Sequence, residues 1–503
     1  MKSKLTAAFL SCVMVCSMAG NIQASALPSK NGTMRNVSTA EIVGEMGIGI
    51  NLGNTMEACG DWIEEVDTKW GDGVLEPKEY ETAWGSPIIT KEMIEGMSNE
   101  GFGVVRVPVA WSNMMDKSTY TISPAYTARV KQIVDWVIDA DMYCIINIHY
   151  DNGWVNNFPY DEEGSMKRYE TMWKQIAYSF KDYDDHLIFE SQNEELGWES
   201  IWNPWSGTQS QKEKSYALCN RINQKFVDVI RASGGNNPKR HLLISGYNTG
   251  IDRTCDSLFR MPYDPVNRMA ISVHYYTPVG FAILEDKDES WAKARSTWGT
   301  DEDYRELNAN MDMMKTNFTD KGIPVIIGEY GCPTKGKETE SVVRFLSAVC
   351  KAAYDRQMCP VLWATPKGEN DGEYGGHYDR NACMISNPDL KKAFDEITGF
   401  NGKTPVDPSA EYPVVSKVEY SEKYHQIRIT WSPVEGASNY GIAVYLAGKW
   451  RVQTQNIPAS ATSYTTPKNL TPGKSYKVAV AAKAGSVWTA NEAIRHAVTV
   501  TVK

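Results

Sequence analysis

Leu187-Ile188-Phe189-Glu190-Ser191-Gln192-Asn193-Glu194 reads as a strand buried on both faces that ends in a carboxylate. Pro324-Val325-Ile326-Ile327-Gly328-Glu329-Tyr330-Gly331 repeats the pattern, with Glu329 near its C-terminal end. A charge at the end of a buried strand is costly unless it is paired or hydrogen-bonded, so two such carboxylates imply a built site. Six more apolar runs flank these two, at residues 47–53, 104–109, 143–149, 242–247, 270–276 and 360–363. Helical patterns lie between the runs. In residues 126–139 Val130, Ile133, Val134 and Val137 share one face, and in 216–232 Leu218, Ile222, Phe226, Val229 and Ile230 do so. Strand and helix alternating eight times predict an α/β fold, a (β/α)8 TIM barrel. A doubly wound sheet would want a glycine-rich phosphate loop after its first strand, and none is present.

The pattern changes near residue 400. Residues 401–412 form a polar, proline-containing linker, after which short alternating segments dominate, such as Gln426-Ile427-Arg428-Ile429-Thr430-Trp431. Residues 413–503 are expected to be a small all-β, immunoglobulin-like sandwich, and the barrel to fill 27–400. Trp431, Tyr440 and the stretch Leu470-Thr471-Pro472-Gly473-Lys474-Ser475-Tyr476 resemble a fibronectin type III module. Trp431 is expected in its core, and a spacer role is favoured over carbohydrate binding.

At the other end, Lys2 and Lys4 precede an apolar stretch and Ala24-Ser25-Ala26. Residues 1–26 thus read as a secretory signal peptide, and the mature protein is expected to be extracellular, with no membrane span. A formal net charge of −10 without a polybasic run argues against nucleic acid and anionic membranes as partners. A monomer is expected. Of ten cysteines, none forms a zinc-ligand cluster, and the strand-end histidines are not at ligand spacing in the sequence, so neither metal nor cofactor is expected. Cys144 and Cys359, in apolar strands, read as buried thiols.

Strand ends contribute Arg106, His149, Asn193 with Glu194, His274 with Tyr276, Glu329 and Trp363. Singly, each has an ordinary structural explanation. Jointly they fit glycosidic cleavage, which needs one protonated carboxyl for the leaving oxygen and one ionised carboxyl for the anomeric carbon. Arg106 and a Tyr276 hydroxyl near Glu329 would favour its anion. Asn193 can donate to a sugar hydroxyl, the histidines can bond hydroxyls or orient Glu194, and Trp363 can floor the sugar site. Trp84, Trp154, Trp198 and Trp202 follow strand ends and are candidate sugar platforms.

The segments Arg106-Val107-Pro108, His149, residues 189–194, His274-Tyr275-Tyr276, Gly328-Glu329-Tyr330-Gly331 and Trp363 resemble glycoside hydrolase family 5. Residues 49–55, which include Asn54, and Glu81-Thr82-Ala83-Trp84-Gly85 are similar to its branch of endo-β-1,4-glucanases and xyloglucanases. The resemblance implies a retaining enzyme with Glu194 as acid/base and Glu329 as nucleophile. Arg106, His149, Asn193, His274, Tyr276, Trp363, Asn54 and Trp84 would be the supporting and substrate-binding residues. The partner implied is a β-glucan polysaccharide: cellulose-like, mixed-linkage or xyloglucan. A β-mannanase of the same fold is the alternative, and a non-catalytic carbohydrate-binding barrel a weaker one. Three departures stand out: Asn193-Glu194-Glu195 where the family has Asn-Glu-Pro, His149-Tyr150 where His-His is common, and Ala364-Thr365-Pro366-Lys367-Gly368 after Trp363. Retention would require the two carboxyls to lie about 5–5.5 Å apart.

Overall fold

The computed structural model describes residues 32–70, 74–195, 201–366, 375–400 and 412–502, the last with breaks at 422, 447–448, 469, 473 and 485–486. The signal-peptide reading of residues 1–26 and nearly all of the 401–412 linker lie outside the described residues. The chain forms two compact units that divide between Phe400 and Asn401.

Eight parallel strands close the first unit into a barrel: β1 (Gly49–Asn51), β2 (Val104–Val107), β3 (Tyr143–Asn147), β4 (Leu187–Glu190), β5 (Leu242–Ser245), β6 (Met269–Tyr275), β7 (Val325–Tyr330) and β8 (Cys359–Leu362). β8 pairs back onto β1 through Gly49↔Val361 and Ile50↔Leu362. Apart from Met269 at the start of β6, the strand residues are buried because one face lines the barrel and the other meets the helices. Val105, Cys144 and Ile146 belong to the large core shared with the helices. Val104, Ile145, Ile188, Leu243, Ala270, Ile326 and Val361 form a second, interior cluster with Ile42, Val43 and Met46. Those last three lie on the helix Thr39–Met46, so this amphipathic helix closes the N-terminal end of the barrel. Its start is fixed by a capping box in which Ser38 and Glu41 satisfy each other's backbone donors.

The period-two alternation of a strand carries this interior face upward. Two residues above Val104 is Arg106, above Ile145 Asn147, above Ile188 Glu190 and above Ala270 Ser272. An apolar plug at the bottom thus becomes a polar layer near the C-terminal mouth. One irregularity matters for function. β6 and β7 slip register between Val273↔Ile327 and His274↔Glu329, leaving Gly328 as the bulged residue. A Cβ at Gly328 would stand 2.7 Å from Ser272 Oγ and 3.2 Å from His274 Nε2, so glycine lets Glu329 come level with His274.

The second unit is antiparallel throughout. Val415–Ser421, Gln426–Trp431 and Ser463–Thr465 form one sheet. Ala437–Leu446, Lys449–Pro458, Ser475–Ala484, Val487–Trp488 and Val498–Thr501 form the other. Ile427, Ile429 and Trp431 from the first sheet share a core with Tyr440, Ile442, Val478 and Val480 from the second. Trp431 is buried as expected, 5.4 Å from the Tyr440 ring. A short helix, Ala490–Arg495, was not foreseen.

Candidate active site

Arg106 is the centre of the polar layer and is fully buried. Its Nε donates to Glu190 at 2.7 Å, Nη1 to Asn51 at 3.0 Å and to Glu329 at 2.8 Å, and Nη2 to Asn193 Oδ1 at 2.9 Å. Glu190 is equally buried and is held on its other sides by Asn147 (3.0 Å) and Ser272 (2.8 Å). A buried cation flanked by two buried anions avoids the cost of an uncompensated charge. Because a guanidinium only donates, its bond to Asn193 Oδ1 leaves the Nδ2 amide as the group Asn193 can offer to a sugar hydroxyl.

Glu329 accepts from Arg106 on one oxygen and from the Tyr276 hydroxyl, at 2.9 Å, on the other. Burial pushes its carboxyl up; His274 and Arg106 pull it down without cancelling the rise. Glu194 sits four residues beyond the end of β4, on a loop and not at the strand end. That loop is pinned by Tyr169 donating to the Ser191 carbonyl (2.6 Å), Ser245 to the Gln192 carbonyl and Asn248 to the Glu194 carbonyl (2.6 Å). The Glu194 side chain is 44% exposed and meets His274 Nδ1 at 2.6 Å. Desolvation raises its carboxyl, but the His274 bond and charge outweigh that and hold it below the ordinary value. His274 Nε2 is buried and has no partner among the described residues; burial lowers the imidazole, but the Glu329 charge and the bond and charge of Glu194 raise it above its ordinary value, which keeps an N–H on Nδ1, facing Glu194.

One oxygen each of Glu194 and Glu329, with His274 Nδ1, lie within 4.8 Å of one another. Carboxyl groups about 5–5.5 Å apart are the retaining arrangement and about 6.5–9.5 Å the inverting one; the 4.8 Å limit here is on the nearest atoms. Folding thus brings one histidine and two carboxylates, distant in sequence, into one cluster.

His149 and Trp363 lie parallel, with ring centroids 5.9 Å apart and planes 4° apart. Burial, then the Arg106 and His274 charges, lower His149 well below the usual imidazole range, so it is neutral. Asn54 stands at φ +56° just after β1, and Trp84 is half-buried in the turn before Gly85.

A family model, Cellulase (glycosyl hydrolase family 5), matches residues 65–365. The chain belongs to glycosyl hydrolase family 5. It is 33% identical over 386 residues to an endoglucanase A of Clostridium longisporum, covering 76% of this chain and 70% of that one. It is 35% identical over 350 residues to a xyloglucan-specific endo-beta-1,4-glucanase of Bacteroides ovatus, covering 66% of each. A solved family 5 lichenase from a Caldicellulosiruptor species, in complex with cellotetraose, superposes with a TM-score of 0.64 at 32% identity, over 74% of this chain and 99% of that one. This chain is therefore a glycoside hydrolase.

Against that family frame, Glu195 does not face solvent. It is 6% exposed, and its Oε1 has no partner among the described residues. Burial, then the charges of Glu194 and Asp151, raise its carboxyl well above the ordinary value. Tyr150, in place of a second histidine, is half-exposed. The loop after Trp363 is described only to Pro366. Among the candidate platforms, Trp202 is loop packing, 6.0 Å from Tyr216 and 6.1 Å from Tyr247 with Lys212 over its ring. Trp154 is oriented by Asp151, which accepts its Nε1–H at 2.8 Å, and by Arg168 stacked 4.4 Å from its ring centroid. Trp198 lies outside the described residues. Sequence reasoning missed Glu190, Asn51, Asn147 and Ser272. The signal for Glu190 was present: it is a carboxylate inside an apolar run, in phase with Ile188.

Proposed function

We propose that the chain is a secreted, retaining endo-β-1,4-glucanase, with Glu329 as nucleophile and Glu194 as general acid/base. The observation that carries this reading is the pair of carboxylates within 4.8 Å, unequal in their surroundings. Glu329 has a donor fixed on each oxygen, buried Arg106 on one and half-buried Tyr276 on the other, so its anion is aimed at the anomeric carbon; burial raises its proton affinity, and these donors work against that rise. Among the described residues, the half-exposed Glu194 carboxylate has one polar side-chain partner, His274. In the empty site its proton affinity is low; a bound sugar would exclude water from that side and set an ether oxygen against it, which raises the affinity. Glu194 then gives its proton to the leaving oxygen, Glu329 bonds to C1, and Glu194 takes a proton from the water that releases the sugar. Asn193 Nδ2 would hold a hydroxyl of the reacting sugar, and Trp363, parallel to His149, would form its floor.

The substrate class is supported by relatives whose names specify endoglucanase, xyloglucan-specific and lichenase activities. Trp154 and Trp84 are read as platforms for more distant sugars, which suits internal attack. The second unit is read as a fibronectin type III-like sandwich acting as a spacer, supported by two antiparallel sheets sharing one core. Export is read from residues 1–26. The test is early-time NMR of the anomer released from soluble β-1,4-glucan, with viscosity followed in parallel. β-Product and rapid viscosity loss are expected; α-product, or steady release of one short sugar without viscosity loss, would reject the reading. A panel of glucans and mannan decides against or for the mannanase alternative.

A further inference from the structure

The loop after β1 and the segment after β8 meet on a buried cation. Arg380, 4% exposed, donates through Nη2 to the carbonyls of Gly53 (2.5 Å) and Ala364 (3.2 Å) and through Nη1 to Ser86 Oγ (2.8 Å). Gly53 N–H also donates to the Ala364 carbonyl at 3.2 Å. A Cβ at Gly53 would stand 3.1 Å from Trp363 Cζ2, so the indole packs directly on this tied backbone. Glu57 works on the next two residues. It is 1% exposed; one oxygen accepts the Asn54 N–H and the other the Thr55 N–H at 2.8 Å. These bonds hold Asn54 in the left-handed region, which a non-glycine residue enters at a cost. Arg380 and Glu57 lie in each other's field, and Cys59 and Tyr126 also feel the Glu57 charge.

We propose that Arg380 and Glu57 are positioning residues of the sugar site, a buried pair that fixes Trp363 and Asn54 where a glucan chain meets them. The inference rests on the glucanase reading, under which Trp363 is the sugar floor. Neither residue reaches the carboxylate pair; each acts through backbone it holds. Trp363 touches sugar in ground and transition states alike, so loosening it weakens KM more than kcat. The pair also carries a pH signature. Burial pushes Glu57 up to about 7, against the Thr55 N–H, its own N–H, the Asn54 N–H and the Arg380 charge, whereas Arg380, lowered to about 10 by burial, stays protonated. Each Glu57 oxygen faces an N–H, so protonating one sets donor against donor and weakens one of the two bonds.

The test uses the full chain on soluble β-1,4-glucan, with kcat and KM measured between about pH 5.5 and 8.5. Wild-type KM should fall about fivefold as pH rises through Glu57's titration, the worth of one hydrogen bond. Glu57→Gln, which cannot titrate, should show a flat KM at the wild-type acid value. Arg380→Met should raise KM about tenfold with kcat within about threefold, and Arg380→Lys, which keeps the charge but not the fork, should fall between. A folded Arg380→Met with wild-type KM overturns the inference, as does a Glu57→Gln whose KM still follows pH as wild type does. If Arg380→Met does not fold, the Glu57→Gln profile decides alone. Wild-type protein inactive on every β-glucan would instead overturn the glucanase reading.

Discussion

Replacing Glu190 by Ala should damage the barrel as much as the chemistry. Arg106 and Glu190 are both fully buried and 2.7 Å apart. Removing the carboxylate leaves Arg106 with Glu329 as its remaining anion and strips Asn147 and Ser272 of their acceptor. Breaking a buried pair on one side costs about 3–5 kcal/mol. A barrel unit of roughly 370 residues has a melting entropy of about 0.8 kcal/mol/K, so the loss corresponds to about 4–6 °C. The assay is scanning calorimetry of the full chain, reading the barrel transition, beside kcat on soluble glucan. Activity should fall at least tenfold in the same variant, because Arg106 would shift and take Glu329 with it. Glu190→Gln, which keeps the shape and most of the hydrogen bonds, should recover part of the melting temperature. A Glu190→Ala protein melting within about 1 °C of wild type would refute the reasoning, since the pair would then carry no net compensation.

Three other outcomes follow from the same geometry. Glu329→Ala should abolish the glycosyl-enzyme seen by mass spectrometry, whereas Glu194→Ala should still form it from an activated aryl glycoside whose leaving group needs no proton; rescue of the Glu329 variant alone would reverse the roles. Glu195 has a folded proton affinity above its unfolded value of 4.5, so the stability it contributes is fully present below about pH 4.5 and is lost as pH rises through the folded value. Urea unfolding at pH 5 and pH 9 should therefore show Glu195→Gln gaining on wild type at the alkaline end, and an unchanged difference between the two pH values would count against a neutral Glu195. Cleavage near Pro405 should leave a folded, active barrel, because the two units are separately compact; loss of most activity on soluble substrate would show otherwise.

The eight strands were legible because each is buried on both faces and so appears as a continuous apolar run; each run overlaps an observed strand, β6 and β8 each starting one residue before its run. The pairing of Glu194 with Glu329 was legible too, because a carboxylate in such a run demands a partner. Whether Trp202 was a platform or loop packing was not legible, because an indole in a loop looks the same in sequence whether it packs on Tyr216 or on a sugar. Glu190 was passed over because its run already held Glu194, and only the end of β4 shows that Glu190 is the strand residue and Glu194 the loop residue.

The sequence alone therefore determined the barrel, the family and the two carboxylates that cluster at its mouth, since hydrophobic periodicity and buried charge are local properties of the chain. Tertiary structure decided which groups share Arg106, that His274 bridges toward both carboxylates, that Glu195 is buried, and that Arg380 joins the two ends of the barrel seam. Those facts depend on the closure of β8 onto β1 and on the one-residue bulge at Gly328. Closure and register bring together residues up to about three hundred positions apart, and no local pattern in the chain records which of them will meet.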